Sequence, residues 1–320
     1  MLITSISAAR LQLLEQGPII VTGQAAQFSV TGPGAVQCVQ GVLTNDVVKP
    51  GPESMVYGAL LTPKGMIIAD AWVLRGAAED DLVLIADQVI ETQLAALFQR
   101  QFPPRVARVA NLTPTSAALW ILGNAGPGLV RDRLGHCPEP GRATTVLIGD
   151  ETVRIARPQS ARAPFMVMIV GSAAGCQAAA SALLGGGAIL GTAADLTAVR
   201  AVKGFPALGI EIDDRTMPAE VDYGEIAGVS HSKGCYVGQE TVARLHFRGH
   251  TNWLLRRIRS IGGSDIPLTG EIVEADKIVA RLGTILKLDD GSWFGSAKVR
   301  REVEPGTTVG GGRIESFGPN

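Results

Sequence analysis

No uninterrupted apolar run in this chain reaches the roughly 18 residues that a membrane-spanning helix needs, so no membrane partner is expected. The start, Met1-Leu2-Ile3-Thr4-Ser5-Ile6, has neither the basic region nor the cleavage pattern of a secretory signal, which makes the cytoplasm the expected compartment. Cysteine is scarce: Cys38, Cys137, Cys176 and Cys235 lie far apart, with no Cys-x-x-Cys pair. That spacing argues against a zinc site, a thioredoxin-like motif or a cluster held by this chain alone, so no metal is expected and the cysteines read as free thiols. An excess of one charge is absent too. The 29 Lys and Arg nearly balance 30 Asp and Glu, so the chain lacks the overall basic character of a nucleic-acid binder and no direct nucleic-acid contact is expected. What remains is a chain of 320 residues that is 46% hydrophobic and 18% charged. This is the composition of a well-buried globular protein, and the length predicts two or three domains.

Residues 19–21 and 26–30 read as short strands, and Thr31-Gly32-Pro33-Gly34 breaks the chain before a helix over 35–43. Residues 56–61 and 66–74 read as paired strands joined by Thr62-Pro63-Lys64-Gly65. A further strand at 81–86 precedes a helix at 88–98 that Phe102-Pro103-Pro104 ends. The alternation then repeats: strands at 117–122, 146–148, 152–156 and 165–170, and an alanine-rich helix at 173–184 closed by Gly185-Gly186-Gly187. Because this glycine run follows a helix rather than opening one, it does not read as a phosphate-binding loop. A helix at 195–202 is ended by Gly204 and Pro206. Beyond Thr251 the pattern becomes five short strands (253–258, 270–273, 277–280, 283–288 and 292–299), which argues for a small β-barrel or sandwich. The expected class is α+β, with one region over 1–249 and a C-terminal β domain over 250–320.

Just before that change of class stands Lys233-Gly234-Cys235-Tyr236-Val237-Gly238-Gln239-Glu240. It gathers a cation, a thiol, a phenol, a carboxamide and a carboxylate around two glycines. Glycine admits backbone conformations closed to other residues, and a thiol beside a lysine and backbone N–H groups sits where its thiolate is favoured. For an isolated Gly-Cys pair a turn with a half-buried cysteine is the simpler reading. His231 and His246 flank the thiol, and an adjacent imidazole activates nucleophilic cysteines in several enzymes, although neither need face it. Arg244, Arg248, Arg256, Arg257 and Arg259 form a local basic cluster, either a solvated face at a domain junction or a landing site for a polyanion.

The octapeptide, with Gly228-Val229-Ser230 before it and Val242-Ala243-Arg244 and Phe247-Arg248-Gly249 after it, resembles the signature of the YgfZ family of folate-binding proteins. Upstream, Gln40-Gly41-Val42-Leu43-Thr44-Asn45-Asp46-Val47 looks like a helix end of the related aminomethyltransferases. The stretch from Tyr57 to Asp70 resembles that superfamily's folate-facing hairpin. Those enzymes have two successive acids at its end; here Ala69 stands first and Asp70 second. Strand alternation puts the two on opposite faces, so one carboxylate survives with a defined direction. The resemblance implies a three-domain ring of two mixed α/β domains and a C-terminal barrel around a channel for tetrahydrofolate or a one-carbon derivative. It further implies a role in assembling or repairing iron–sulfur proteins, tRNA-modifying ones included, so the expected partners are iron–sulfur client enzymes or assembly factors.

On that resemblance the candidate catalytic residues are Cys235, Lys233 and Asp70. The candidate folate-binding residues are Tyr57, Asp70, Arg200, Tyr236, Gln239, Glu240, Arg244 and Arg248, the last two for an anionic glutamate tail. One departure weakens an enzyme assignment. The aminomethyltransferases have a glutamate within an Arg-x-Glu-x-Gly run, and the corresponding Arg200-Ala201-Val202-Lys203-Gly204 has valine, which accepts no hydrogen bond. Glu211, Glu220 and Asp222 are the nearest replacement acids. An accessory role is therefore the leading expectation. A folate-dependent aminomethyltransferase of glycine cleavage and a docking protein with a vestigial pocket are the alternatives.

Overall fold

A computed structural model describes residues 1–78 and 80–318. Among these residues the strands form three sheets. The first has five strands in the order Met55–Leu61, Ile67–Arg75, Asp81–Ala86, Ala26–Thr31 and Arg108–Asn111. Met55–Leu61 is buried along its whole length, which explains its near-continuous apolar sequence: both faces of the strand are covered. One face packs on the helices Ala35–Val42 and Glu91–Gln101 through Val39, Val42, Leu94 and Phe98, with Val56, Leu60, Ala69 and Val73 opposite them. The other face bears Tyr57, Ala59, Trp72 and Leu74 and points to the middle of the molecule.

The second sheet has six strands: Ile189–Leu190, Ile19–Gly23, Ser116–Leu122, Val167–Ser172, Glu151–Ala156 and Ala143–Ile148. The consecutive strands Ile19–Gly23 and Ala26–Thr31 thus enter different sheets and tie the two together. The alanine-rich helix Ala173–Leu184 covers one face, its first turn capped by the Ser172 hydroxyl, which accepts from the Gly175 N–H at 2.9 Å. Helix Ala193–Lys203, which bears Arg200, is fixed at its start by a Thr192–Asp195 capping box, and Arg10 grips Asp195 with bonds of 2.8 and 2.7 Å.

The third sheet has the order Leu2–Ser5, Lys277–Lys287, Trp293–Arg300, Trp253–Ser260, Gly312–Glu315 and Thr308–Val309, with Glu271–Glu274 also paired to Lys277–Lys287. Leu2–Ser5 joins in parallel, so a strand from the start of the chain completes the C-terminal sheet. Residues 277–280 and 283–288, expected as two strands, form one strand whose register shifts between Leu282 and Ile285. At the shift, a side chain on Gly283 would strike Glu211 at 2.5 Å. Among the described residues these pairings form an open path and not the closed barrel expected. The inner faces of all three sheets meet in one apolar cluster that includes Tyr57, Trp72, Met168, Phe205, Leu286 and Phe294. Among the described residues no helix is long and apolar enough to cross a membrane, and no group of three or more His, Cys, Asp or Glu side chains is placed to hold a metal.

Candidate functional site

The register of the first hairpin builds the site. Ala59 lies opposite Asp70 and Tyr57 opposite Trp72, so all four project from the inner face, while Ala69 packs under the helices. Asp70 is only 9% exposed. Its Oδ2 accepts a hydrogen bond from the Tyr57 hydroxyl at 2.5 Å, and that hydroxyl lies 3.0 Å from the hydroxyl of Tyr223. Burial pushes the Asp70 carboxyl above its ordinary pKa, while the Arg200 cation and the Tyr57 hydrogen bond oppose the rise. Burial, reinforced by the charge on Asp70, raises both phenols well above the usual tyrosine value, so each keeps its proton at neutral pH.

Asp70 and Arg200 share a cavity of about 410 Å³ whose walls include Trp72, Trp120, Phe165 and Asp87. Arg200 is held by the Pro206 carbonyl at 2.9 Å, and its guanidinium lies 5.5 Å from the centre of the Phe205 ring. A buried carboxyl and a cation among flat aromatic walls, in a volume typical of small-molecule sites, fit a flat heterocycle that offers N–H donors. Tyr57 is not in this wall. It stands behind Asp70, packed at ring-centre distances of 4.6 Å on Trp72 and 4.9 Å on Phe205, and lines a separate hollow with Asn45, Asp46 and Ser230. Val202 lines a neighbouring cavity of about 440 Å³, which shares Pro164 and Phe165 with the first. The valine thus adds apolar surface where the aminomethyltransferase pattern has an acceptor.

The octapeptide lies against the turn of the same hairpin. Gly238 has φ +82°, and a side chain there would meet the Thr62 carbonyl oxygen at 2.6 Å. Only glycine permits both the left-handed backbone and the close approach. Cys235 is exposed, unlike the buried Cys137 and Cys176 and the half-buried Cys38. Burial raises the thiol pKa of those three, Cys176 to about 11, and they behave as small apolar side chains. Lys233, by contrast, points inward: its ammonium donates to the carbonyl oxygens of Gln40 and Leu43, both at 2.6 Å, and of Asn45 at 3.0 Å. Tyr236 is buried, its ring centre 4.8 Å from the Lys233 ammonium, and burial raises its pKa to about 12.

Gln239 and Glu240 open the helix Gln239–Arg248, Gln239 half-buried and Glu240 exposed; Arg244 and Arg248 are exposed one turn apart. His231 stacks on His246 with ring centres 3.5 Å apart, and burial and the neighbouring imidazole both lower the His231 pKa. The three replacement acids have other partners. Glu211 accepts from the backbone N–H of Thr284 and Ala207 and from the hydroxyls of Thr284 and Ser296. Glu220 accepts from the Met217 N–H, and Asp222 pairs with Arg162. The structure therefore makes two groupings of the sequence candidates: Asp70 and Arg200 in the wall of one cavity with Tyr57 bonded to Asp70 from behind, and Lys233, Cys235, Tyr236 and Gln239 in one loop beside the hairpin turn. Trp72, two residues beyond Asp70 on the same strand face, was legible by alternation. Tyr223, in an irregular segment 166 residues from Tyr57, had no local signal.

Residues 16–132 match the GCVT N-terminal domain. Over 288 residues, 88% of this chain and 84% of the other, the sequence is 26% identical to the tRNA-modifying protein YgfZ of Cronobacter sakazakii. The chain is thus similar to the YgfZ proteins over most of its length. A second YgfZ, from Hamiltonella defensa, is 23% identical over 299 residues, covering 89% and 84% of the two chains. The glycine cleavage system aminomethyltransferase T of Bartonella henselae superposes with a TM-score of 0.79 over 97% of this chain and 88% of its own, at 16% identity. The fold is therefore the mixed α/β aminomethyltransferase-like fold, and the likeness to the YgfZ proteins read from the octapeptide and its flanks extends along most of the chain.

Proposed function

We propose that this protein binds tetrahydrofolate, or a one-carbon derivative of it, and supports iron–sulfur enzymes, tRNA-modifying ones among them, through Cys235. The observation that carries the folate reading is the buried Asp70 carboxyl. It faces an aromatic, cation-bearing cavity and is held from behind by the Tyr57 hydroxyl. In this reading the three sheets form a three-domain ring about a central channel. Asp70 and Arg200 meet the polar edge of the ligand, Trp72 and Phe165 its flat faces, and Arg244 and Arg248 an anionic tail at the mouth. A bound reduced folate supplies a carrier for one-carbon units. The protein orients it, shields its ring from water and offers a carboxyl able to hold or release a proton.

The relatives' name supports a link to tRNA modification, made through client enzymes in the cytoplasm rather than by direct contact with nucleic acid. Cys235 is the group presented to those clients. Val202 disfavours glycine-cleavage turnover, because an apolar side chain there accepts no hydrogen bond from a pterin. Complementation of a deletion strain tests the thiol. Cys235→Ser, a one-atom change at an exposed site, is expected to preserve folding and folate affinity while iron–sulfur enzyme activities stay at the level of the deletion. Full restoration by the serine variant removes the thiol from the account.

A further inference from the structure

The helix Ala35–Val42 ends where its last carbonyls have no helical partner. The N–H of Thr44, which would continue the ladder to Gln40, donates instead to the Ala59 carbonyl at 2.9 Å. The oxygens of Gln40, Leu43 and Asn45 converge on one point, and the Lys233 ammonium occupies it at 2.6, 2.6 and 3.0 Å. Three acceptors meet three protons. The lysine is only 7% exposed, and no carboxylate forms an ion pair with it among the described residues. Asp46, the nearby anion, already accepts from Gln40 and from the N–H groups of Val48 and Lys49. Burial lowers the Lys233 pKa to about 8 against the opposing pull of the Asp46 charge, and the cation that remains at neutral pH is held by oriented carbonyl dipoles at a helix C-terminus, where a cation is favoured, and by the Tyr236 ring.

The loop before and after Lys233 is strapped across the same helix end. The Ser230 N–H donates to the Thr44 carbonyl and the Val237 N–H to the Gly41 carbonyl, both at 3.1 Å, and the Thr44 hydroxyl donates to the Gly228 carbonyl at 2.6 Å. Cys235 lies exposed between these anchor points.

We infer that Lys233 is a positioning residue: its ammonium fills a carbonyl cage built for a monovalent cation and thereby pins the loop that displays Cys235. All three of its protons are engaged away from the thiol, so Lys233 acts on Cys235 through the backbone of the loop and not by direct contact. A guanidinium is planar and cannot direct three protons at one converging set of oxygens. A small ammonium ion can, because carbonyl rings replace the hydration shell of a cation of that size.

The test follows amide hydrogen exchange at Ser230 and Val237 in the full chain. Lys233→Ala is expected to speed exchange at both amides by about tenfold or more. Methylammonium, which fits the emptied cage, is expected to restore protection. Tetramethylammonium, with the same charge and no N–H, and Lys233→Arg are not. Unchanged protection in Lys233→Ala, or equal rescue by both ammonium ions, overturns the inference. Should the alanine variant fail to fold, Lys233→Met keeps the apolar stem for the same measurement. The wild-type chain supplies an independent reading, because a caged ammonium gives a slowly exchanging side-chain N–H resonance, and its absence also overturns the inference. These readouts involve no folate, so their failure leaves the proposed ligand untouched.

Discussion

Replacing Tyr57 with phenylalanine removes one oxygen and keeps the ring that packs on Trp72 and Phe205. The lost group donates to the Asp70 carboxylate at 2.5 Å and stands 3.0 Å from the Tyr223 hydroxyl, all three side chains being buried. A hydrogen bond to a charged group contributes about 1.5–3 kcal/mol, and a buried acceptor left without its donor carries a further desolvation cost. The Tyr223 hydroxyl can turn toward Asp70 and offset part of this. The expected loss is about 2 kcal/mol at neutral pH, read by urea titration of tryptophan emission.

The pH dependence supplies the sharper test. The phenol hydrogen bond favours the ionised form of Asp70, so its removal costs most where Asp70 is charged and least where it is protonated. Burial holds the folded pKa of Asp70 above its unfolded value. The stability this group contributes is therefore present below the unfolded pKa and is lost as pH rises through the folded one. In Tyr57→Phe that pKa moves further up, and the gap between variant and wild type narrows as pH falls. In an Asp70→Asn background, where no charge is left, the Tyr57→Phe cost should drop below about 1 kcal/mol. A cost of equal size in acid and at neutral pH, and with Asp70 intact or replaced by asparagine, would refute the coupling.

Gly238→Ala places a Cβ 2.6 Å from the Thr62 carbonyl at a backbone φ of +82°, so a loss of about 2 kcal/mol or more is expected, seen as a lower urea midpoint and faster proteolysis near the octapeptide; a change under about 0.5 kcal/mol contradicts the close packing of that loop on the hairpin. Arg244 and Arg248 are exposed on one helix face, where charge is screened over about 8 Å at physiological salt. Affinity for polyglutamylated folate should fall more steeply with salt than affinity for the monoglutamate, and equal slopes in calorimetric titrations would return these arginines to a solvated structural face.

Much of this was legible from short-range pattern. The hairpin from Tyr57 to Asp70 declared itself by two apolar runs around Thr62-Pro63-Lys64-Gly65, and alternation put Asp70 and Ala69 on opposite faces, which the structure shows to be the inner face and the face under the helices. Long-range partners were not legible. Tyr223 meets Tyr57 across 166 residues, and the acid Glu211 is claimed by Thr284 and Ser296 of a distant sheet, a pairing that only the absence of a side chain at Gly283 permits. The direction of Lys233 was hidden for the same reason: its partners Gln40, Leu43 and Asn45 lie about 190 residues upstream and offer backbone oxygens, which no residue type advertises. Closure of the C-terminal strands could not be read from their spacing, since the sheet takes a strand, Leu2–Ser5, from the other end of the chain.

Calorimetric titration of tetrahydrofolate into the wild-type chain and Asp70→Asn tests the central claim most directly. The account predicts saturable binding by the wild type and an affinity lowered about ten- to a hundredfold in the variant, the equivalent of one hydrogen bond to a charged group. The variant should be as stable as wild type or more so, because a buried charge has been removed. No heat of binding up to millimolar ligand, or identical affinities for the two proteins, would contradict it.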